Sequence, residues 1–155
     1  MNFKRPADFF TACICTVGGV GYLPFAPGTF GSAAGLGLYY WLVKMPPEFY
    51  FIFTLGVILL GFLTCGRMER MLGRKDPGCI VIDEVAGMLV ALSFMPPDAK
   101  IIFLAFLIFR ILDTLKPYPA FSFQINPGGI GVMGDDLIAG LYTNLVLQSI
   151  LKITA

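Results

Sequence analysis

Phe49-Tyr50-Phe51-Ile52-Phe53-Thr54-Leu55-Gly56-Val57-Ile58-Leu59-Leu60-Gly61-Phe62-Leu63-Thr64-Cys65-Gly66 runs for eighteen residues without a charge. A helix crossing a bilayer core of about 30 Å needs about 20 mostly apolar residues, so this block reads as a membrane span. Directly behind it stand Arg67, Arg70, Arg74 and Lys75. Apolar blocks with charge gathered at their ends are the pattern of a multi-spanning membrane protein.

Moving outward from that span, the preceding block covers residues 30–43 and is closed by Lys44, Pro46 and Pro47. It is short for a bilayer, and Gly31, Ser32, Ala33, Ala34, Gly35 and Gly37 suit it to close packing against a neighbour. Three further blocks follow. Residues 80–95 open with Asp83 and Glu84 and stop at Pro96-Pro97; residues 101–112 carry Arg110 near their end; residues 135–150 begin at Asp135-Asp136. Residues 1–28 contain too many glycines and prolines for a continuous span and read as an interfacial segment entering a structured loop. Lys4-Arg5 before an apolar run imitates a signal peptide. A signal peptide should release a more polar mature chain, but here the run passes into Gly18-Gly19-Val20-Gly21-Tyr22 and the remainder is just as apolar, so it is expected to stay in the protein.

The composition agrees. Of the 155 residues 57% are hydrophobic and only 14% charged, with a mean hydropathy of +0.79, whereas soluble domains carry about a quarter charged residues. The expected fold is all-α: a small polytopic membrane helical bundle of about four transmembrane helices with Gly/Pro-rich cytoplasmic loops, residues 1–155 forming one domain. A soluble, deeply buried helical domain is the alternative.

A net charge of +1 offers no field for nucleic acid. Cys13, Cys15, Cys65 and Cys79 form no CxxC pair and read as buried reduced thiols. The chain has no histidine, which excludes Ser-His-Asp triads, His-ligated zinc and His-nucleophile phosphatases.

The four basic residues after residue 66 place that connection in the cytoplasm by the positive-inside rule. Alternation then puts Lys4, Arg5, Arg110 and Lys116 inside as well, leaving Lys44, Lys100 and Lys152 outside. The same topology gathers Thr29, Asp76, Asp83, Glu84, Arg110, Asp113, Lys116, Asp135 and Asp136 on the cytoplasmic face.

Ionisable residues at membrane depth cost about 2.5–3.5 kcal/mol each on insertion scales and are functional by default. Each piece has a structural reading on its own. Asp83-Glu84 and Asp135-Asp136 suit helix N-termini, Arg110 and Asp113 suit an i,i+3 ion pair, and the glycines around residue 128 suit a turn leading into the last helix. Their coincidence on one face is what points to a site. Crowded carboxylates repel unless cations or protons neutralise them, and Asp83, Glu84, Asp113, Asp135 and Asp136 supply oxygens for one or two hard divalent cations such as Mg²⁺. Arg110 can grip a phosphate bidentately and Lys116 adds a point charge. Ahead of the first small-residue helix, the loop around Pro27-Gly28-Thr29 offers amides and hydroxyls to the same anion. Together these residue types suit phosphoryl chemistry by positioning and charge neutralisation. With no histidine, water activation falls to a carboxylate or to a metal-bound hydroxide.

Four stretches carry a family resemblance: Gly21-Tyr22-Leu23-Pro24-Phe25-Ala26-Pro27-Gly28-Thr29-Phe30-Gly31-Ser32; Asp76-Pro77 with Ile80-Val81-Ile82-Asp83-Glu84-Val85-Ala86-Gly87; Phe109-Arg110-Ile111-Leu112-Asp113-Thr114-Leu115-Lys116-Pro117-Tyr118-Pro119; and Gly128-Gly129-Ile130-Gly131-Val132-Met133-Gly134-Asp135-Asp136-Leu137-Ile138-Ala139-Gly140. In these the chain resembles the phosphatidylglycerophosphatase A family. The resemblance implies a multi-pass protein of the bacterial cytoplasmic (inner) membrane with its active site on the cytoplasmic face. It implies Mg²⁺-dependent hydrolysis of phosphatidylglycerophosphate to phosphatidylglycerol and inorganic phosphate, in phospholipid biosynthesis.

On this basis Glu84, Asp135 and Asp136 are the first metal candidates, with Asp83 and Asp113 next. Arg110 and Lys116 are expected to bind phosphate, helped by Gly28 and the Thr29 hydroxyl. The base is one of Asp83, Asp113 or Asp136, and the oligomeric state stays open. The rival reading is a small membrane cation transporter using the clustered carboxylates. Against it, the carboxylates sit at helix ends and no internal repeat is present.

Overall fold

The computed structural model describes residues 5–154. Lys4, counted above on the inner side, lies outside the described residues. Among these residues there are seven α-helices, one 3-10 turn and no strand: α1 (Pro6–Cys15), the 3-10 turn (Val20–Tyr22), α2 (Pro27–Leu42), α3 (Pro47–Leu72), α4 (Ile82–Ala91), α5 (Ala99–Leu115), α6 (Ala120–Gln124) and α7 (Gly129–Thr154). The all-helical expectation holds.

Prolines start three of these helices. Pro6, Pro27 and Pro47 stand at the first helical turn, where a missing N–H costs nothing and a fixed φ suits the helix. Gly73, at φ 66°, closes α3 in the left-handed conformation that glycine adopts without strain. Asp98 caps α5 by accepting from the amides of Lys100 and Ile101 at 2.9 and 3.2 Å.

Lengths decide what can span. At about 1.5 Å per residue, the 26 residues of α3 and of α7 are long and apolar enough to cross a bilayer. The 16 residues of α2 and 17 of α5 fall a few ångströms short of about 30 Å. Helix α4 differs most from expectation: the block at residues 80–95 holds only a ten-residue helix, about half a bilayer core in length.

That short helix is the centre of the bundle. Val85, Ala86, Met88, Leu89 and Ala91 are all but inaccessible, packed among α2, α3, α5 and α7. A helix that stops inside an apolar core leaves its last carbonyls without partners unless side chains reach them. Three neighbours do so. The Asn144 amide of α7 donates to the carbonyls of Ala91 at 3.0 Å and Ser93 at 2.7 Å. The Tyr50 hydroxyl of α3 donates to the Leu89 carbonyl at 2.5 Å, and that of Tyr39 in α2 to the Met95 carbonyl at 2.8 Å. Residues of α2, α3 and α7 thus fix the buried end of α4, and its N-terminus is held at one end of the bundle.

On the outside, α3 shows Ile52, Leu55, Leu59 and Leu63 as exposed side chains, and α5 shows Phe103, Leu107 and Ile111. An apolar surface this extensive suits hydrocarbon better than water.

Candidate active site

The N-termini of α2 and α4, the C-terminus of α5 and the first turns of α7 meet at one end of the bundle. There the carboxylates of Asp83 and Glu84, in the first turn of α4, lie with that of Asp136 from α7 so that one oxygen of each is within 4.8 Å of the others. Asp83 and Asp136 are buried and Glu84 is half-buried. Asp83 Oδ1 and Glu84 Oε2 are buried without a hydrogen-bond partner. An ionised carboxylate oxygen in that condition needs a cation or a proton.

The cations stand beside this group. Arg110 Nη1 pairs with Asp113 Oδ2 at 2.6 Å on the last turns of α5, and Asp113 in turn lies beside Asp136. Lys116, at the left-handed C-cap of α5, bonds Asp135 Oδ2. Burial alone would lower the Lys116 pKa, but the hydrogen bond it donates to Asp135 and the charges of Asp135, Asp136 and Asp113 outweigh it and raise the pKa. Five carboxylates therefore face two cations, which leaves three negative charges uncompensated if all ionise.

Gly28 closes the site from the α2 side. A methyl at its Cα would strike Glu84 Oε1 and sit 3.3 Å from Arg110 Nη1, so only glycine admits both groups there. Thr29 follows it, half-buried in the first turn of α2. Two further glycines set the depth of α7 against α4. A methyl at Gly87 would come 2.7 Å from the Asp136 carbonyl oxygen, and one at Gly140 would strike the Gly87 carbonyl.

Every candidate residue named from sequence thus lies at this one end, with two differences of geometry. The glycines from 129 to 134 form no turn: they are the first turns of α7 itself, so Asp135 and Asp136 stand inside a helix and not at its cap. Adjacent helical positions point about 100° apart. Asp136 therefore meets Asp83 and Glu84, while Asp135 turns to Lys116. Likewise the supposed loop at Pro27-Gly28-Thr29 is already helix, starting from Ala26 at φ 44°.

Sequence reasoning missed Glu69. On the last turn of α3 its two oxygens accept from the amides of Asp76 and Gly128, each at 2.8 Å. A lone Glu in a basic run carries no local signal, because its partners are backbone amides distant in the chain. All four cysteines are free thiols, as expected, but only Cys15 and Cys65 are buried; Cys13 and Cys79 are half-buried.

A family model described as phosphatidylglycerophosphatase A matches residues 13–151, which contain the whole of this site. The chain belongs to the phosphatidylglycerophosphatase A family. Curated relatives agree with the match. The Escherichia coli (strain K12) phosphatidylglycerophosphatase A is 37% identical over 134 residues, covering 85% of this chain and 78% of the relative. The Haemophilus influenzae (strain Rd) phosphatidylglycerophosphatase A is 36% identical over 135 residues, covering 85% and 83%. A Bacteroides thetaiotaomicron protein, provisionally named phosphatidylinositol-3-phosphatase, is 32% identical over 152 residues, covering 93% and 94%. No solved structure matches the chain. For a phosphatidylglycerophosphatase A family member, what the geometry adds is the division of the acidic residues: three meet at the head of α4 and two are spent on Arg110 and Lys116.

Proposed function

We infer that the protein hydrolyses the phosphate monoester of phosphatidylglycerophosphate, releasing phosphatidylglycerol and inorganic phosphate, with Mg²⁺ held by Asp83, Glu84 and Asp136. One observation carries this reading: buried carboxylate oxygens without partners, beside Arg110 and Lys116, at the end of an apolar bundle. The all-oxygen donor set suits Mg²⁺ or Mn²⁺ and is unsuited to soft metals. When bound, such a cation would neutralise the carboxylates and polarise a phosphoryl oxygen.

The chain's own residues do the rest. Arg110 and Lys116 draw the phosphate dianion to the site, and the Gly28 amide and Thr29 hydroxyl line its other side. Asp113, one oxygen held by Arg110, accepts the proton of the attacking water. The P–O bond to the glycerol oxygen breaks, and that oxygen leaves as the alcohol after taking up a proton.

Location follows from charge. Arg5, Arg67, Arg70, Arg74, Lys75, Arg110 and Lys116 fall at the site end, against Lys44, Lys100 and Lys152 at the other. By the positive-inside rule the site faces the cytoplasm of a bacterial inner membrane, with α3 and α7 crossing it and α2 and α5 completing a multi-pass bundle. A phosphorylated lipid headgroup reaches such a site from the cytoplasmic interface without leaving the bilayer. The transport reading is not favoured: below the carboxylates Met88, Leu89 and Phe109 are fully buried and fill the bundle.

Phosphate release from phosphatidylglycerophosphate by purified protein in detergent, with Mg²⁺ and then with excess EDTA, tests the reading. Asp136→Asn runs alongside. Release that requires Mg²⁺ and fails in the variant is expected; no release by folded protein with any divalent metal would sink it.

A further inference from the structure

The two halves of the carboxylate cluster enter the site on separate stretches of chain. Asp83 and Glu84 follow the loop after α3, and Asp136 follows the turn before α7. Glu69 touches both stretches. Its Oε1 accepts from the Asp76 amide, seven residues before Asp83, and its Oε2 from the Gly128 amide, eight residues before Asp136, each at 2.8 Å.

Other contacts hold the same junction. Both amide donors sit in the left-handed region, Asp76 at φ 43° and Gly128 at φ 71°. For a non-glycine residue that conformation persists only where its surroundings enforce it. Lys75 Nζ donates to the Ile125 carbonyl at 3.0 Å, joining the same two stretches a second time. A methyl at Gly129 would strike the Phe62 carbonyl, and one at Gly66 would lie 3.2 Å from the Gly128 Cα, so the start of α7 is seated directly on α3.

We propose that Glu69 is a positioning residue: by binding both amides it sets the separation of Asp83-Glu84 from Asp136, and with it the cluster's affinity for a divalent cation. This rests on the cation-site reading given under Proposed function. A carboxylate is well suited to the task, because each oxygen takes one N–H and its rigid plane fixes the spacing of the two donors. Metal ligands must be held to about 0.5 Å, and loss of an outer partner costs about 10–100-fold in metal affinity or activity.

The test measures Mn²⁺ binding to the purified protein in detergent micelles by the electron paramagnetic resonance of free Mn²⁺, beside the Mg²⁺ dependence of phosphate release. Glu69→Ala is expected to raise the Mn²⁺ dissociation constant and the Mg²⁺ half-saturation by about 10–100-fold. KM for the lipid and kcat at saturating Mg²⁺ stay within about twofold of wild type. Glu69→Gln keeps one acceptor oxygen and the side chain's size. It falls in between, and it carries the test if Glu69→Ala does not fold.

Asp8→Asn is the control. It breaks the 2.6 Å ion pair with Arg67 on the same turn of α3 and should lower the melting temperature without moving Mn²⁺ affinity. Glu69 variants that bind Mn²⁺ as tightly as wild type, or an equal shift in Asp8→Asn, overturn the proposal while leaving the cation site standing. Wild-type protein that binds no Mn²⁺ overturns both.

Discussion

Gly140 of α7 and Gly87 of α4 meet backbone to backbone: a methyl at Gly140 would land on the carbonyl oxygen of Gly87. A carbonyl in a buried helix cannot swing aside as a side-chain end can, so Gly140→Ala has to push the two helices apart. Overpacking of this kind costs about 1–3 kcal/mol. Because Gly140 lies one turn beyond Asp136, and Gly87 one turn beyond Asp83 and Glu84, the same displacement opens the carboxylate cluster. Gly140→Ala is expected to lower both the melting temperature in detergent and the turnover at fixed Mg²⁺. Gly37→Ala, with nothing within 4 Å of the new methyl, should leave both unchanged.

The opposite end of α4 separates stability from activity. Asn144 donates to the Ala91 and Ser93 carbonyls and accepts from Gln148 Nε2 at 2.8 Å. Asn144→Leu strands those carbonyls in an apolar core, at about 1–3 kcal/mol. Asn144→Asp is expected to be worse, since it aims carboxylate oxygens at carbonyl oxygens. The site lies at the other end of the helix. Melting temperatures should therefore fall in the order wild type, Leu, Asp, while the Mg²⁺ half-saturation of the folded Leu variant stays at the wild-type value.

These two contacts also explain what sequence could and could not reveal. Charges at the ends of apolar blocks were enough to bring Gly28, Asp83, Glu84, Arg110, Asp113, Lys116, Asp135 and Asp136 to one end, because alternation of spans is a property of the whole chain. Glycines were misleading locally. Gly129 and Gly134 look like turn residues, yet they are helical and small because the Phe62 backbone and the Phe123 ring press on them; glycine composition does not distinguish a turn from a close helix contact. The length of α4 was hidden for a similar reason. Pro96-Pro97 marks a stop, but the helix ends at Ala91, where Tyr50 and Asn144 from distant helices take over its carbonyls. The separate directions of Asp135 and Asp136 need the register of a helix whose start the glycines concealed.

Lys116 gives a pH dependence with a definite sign. Its partners hold its pKa above the ordinary 10.5 in the folded protein. A group raised on folding adds stability that is fully present below its unfolded value and lost as pH rises through the folded one. The Lys116–Asp135 pair should thus stabilise the protein evenly across neutral pH and fade only above about pH 10. Melting curves of wild type and Lys116→Gln are expected to run parallel from pH 6 to 9 and to converge at more alkaline pH. Convergence on the acid side of pH 9 would show that Lys116 is not the group responsible.

Asp83 should show function opposing stability. Its carboxylate lies with those of Glu84 and Asp136, and its Oδ1 is buried without a hydrogen-bond partner, so without a cation the three charges repel and strain the fold. Asp83→Asn removes one charge at nearly constant shape. The cation-free variant is expected to melt above cation-free wild type. A cation that binds only the folded state stabilises it by RT ln(1 + [L]/Kd), about 2.7 kcal/mol at 100 times Kd. Wild type should therefore rise in melting temperature with Mg²⁺, while Asp83→Asn should rise little and release no phosphate. Should both proteins respond equally to Mg²⁺, Asp83 is not a ligand, and its burial would have to be explained by protonation alone.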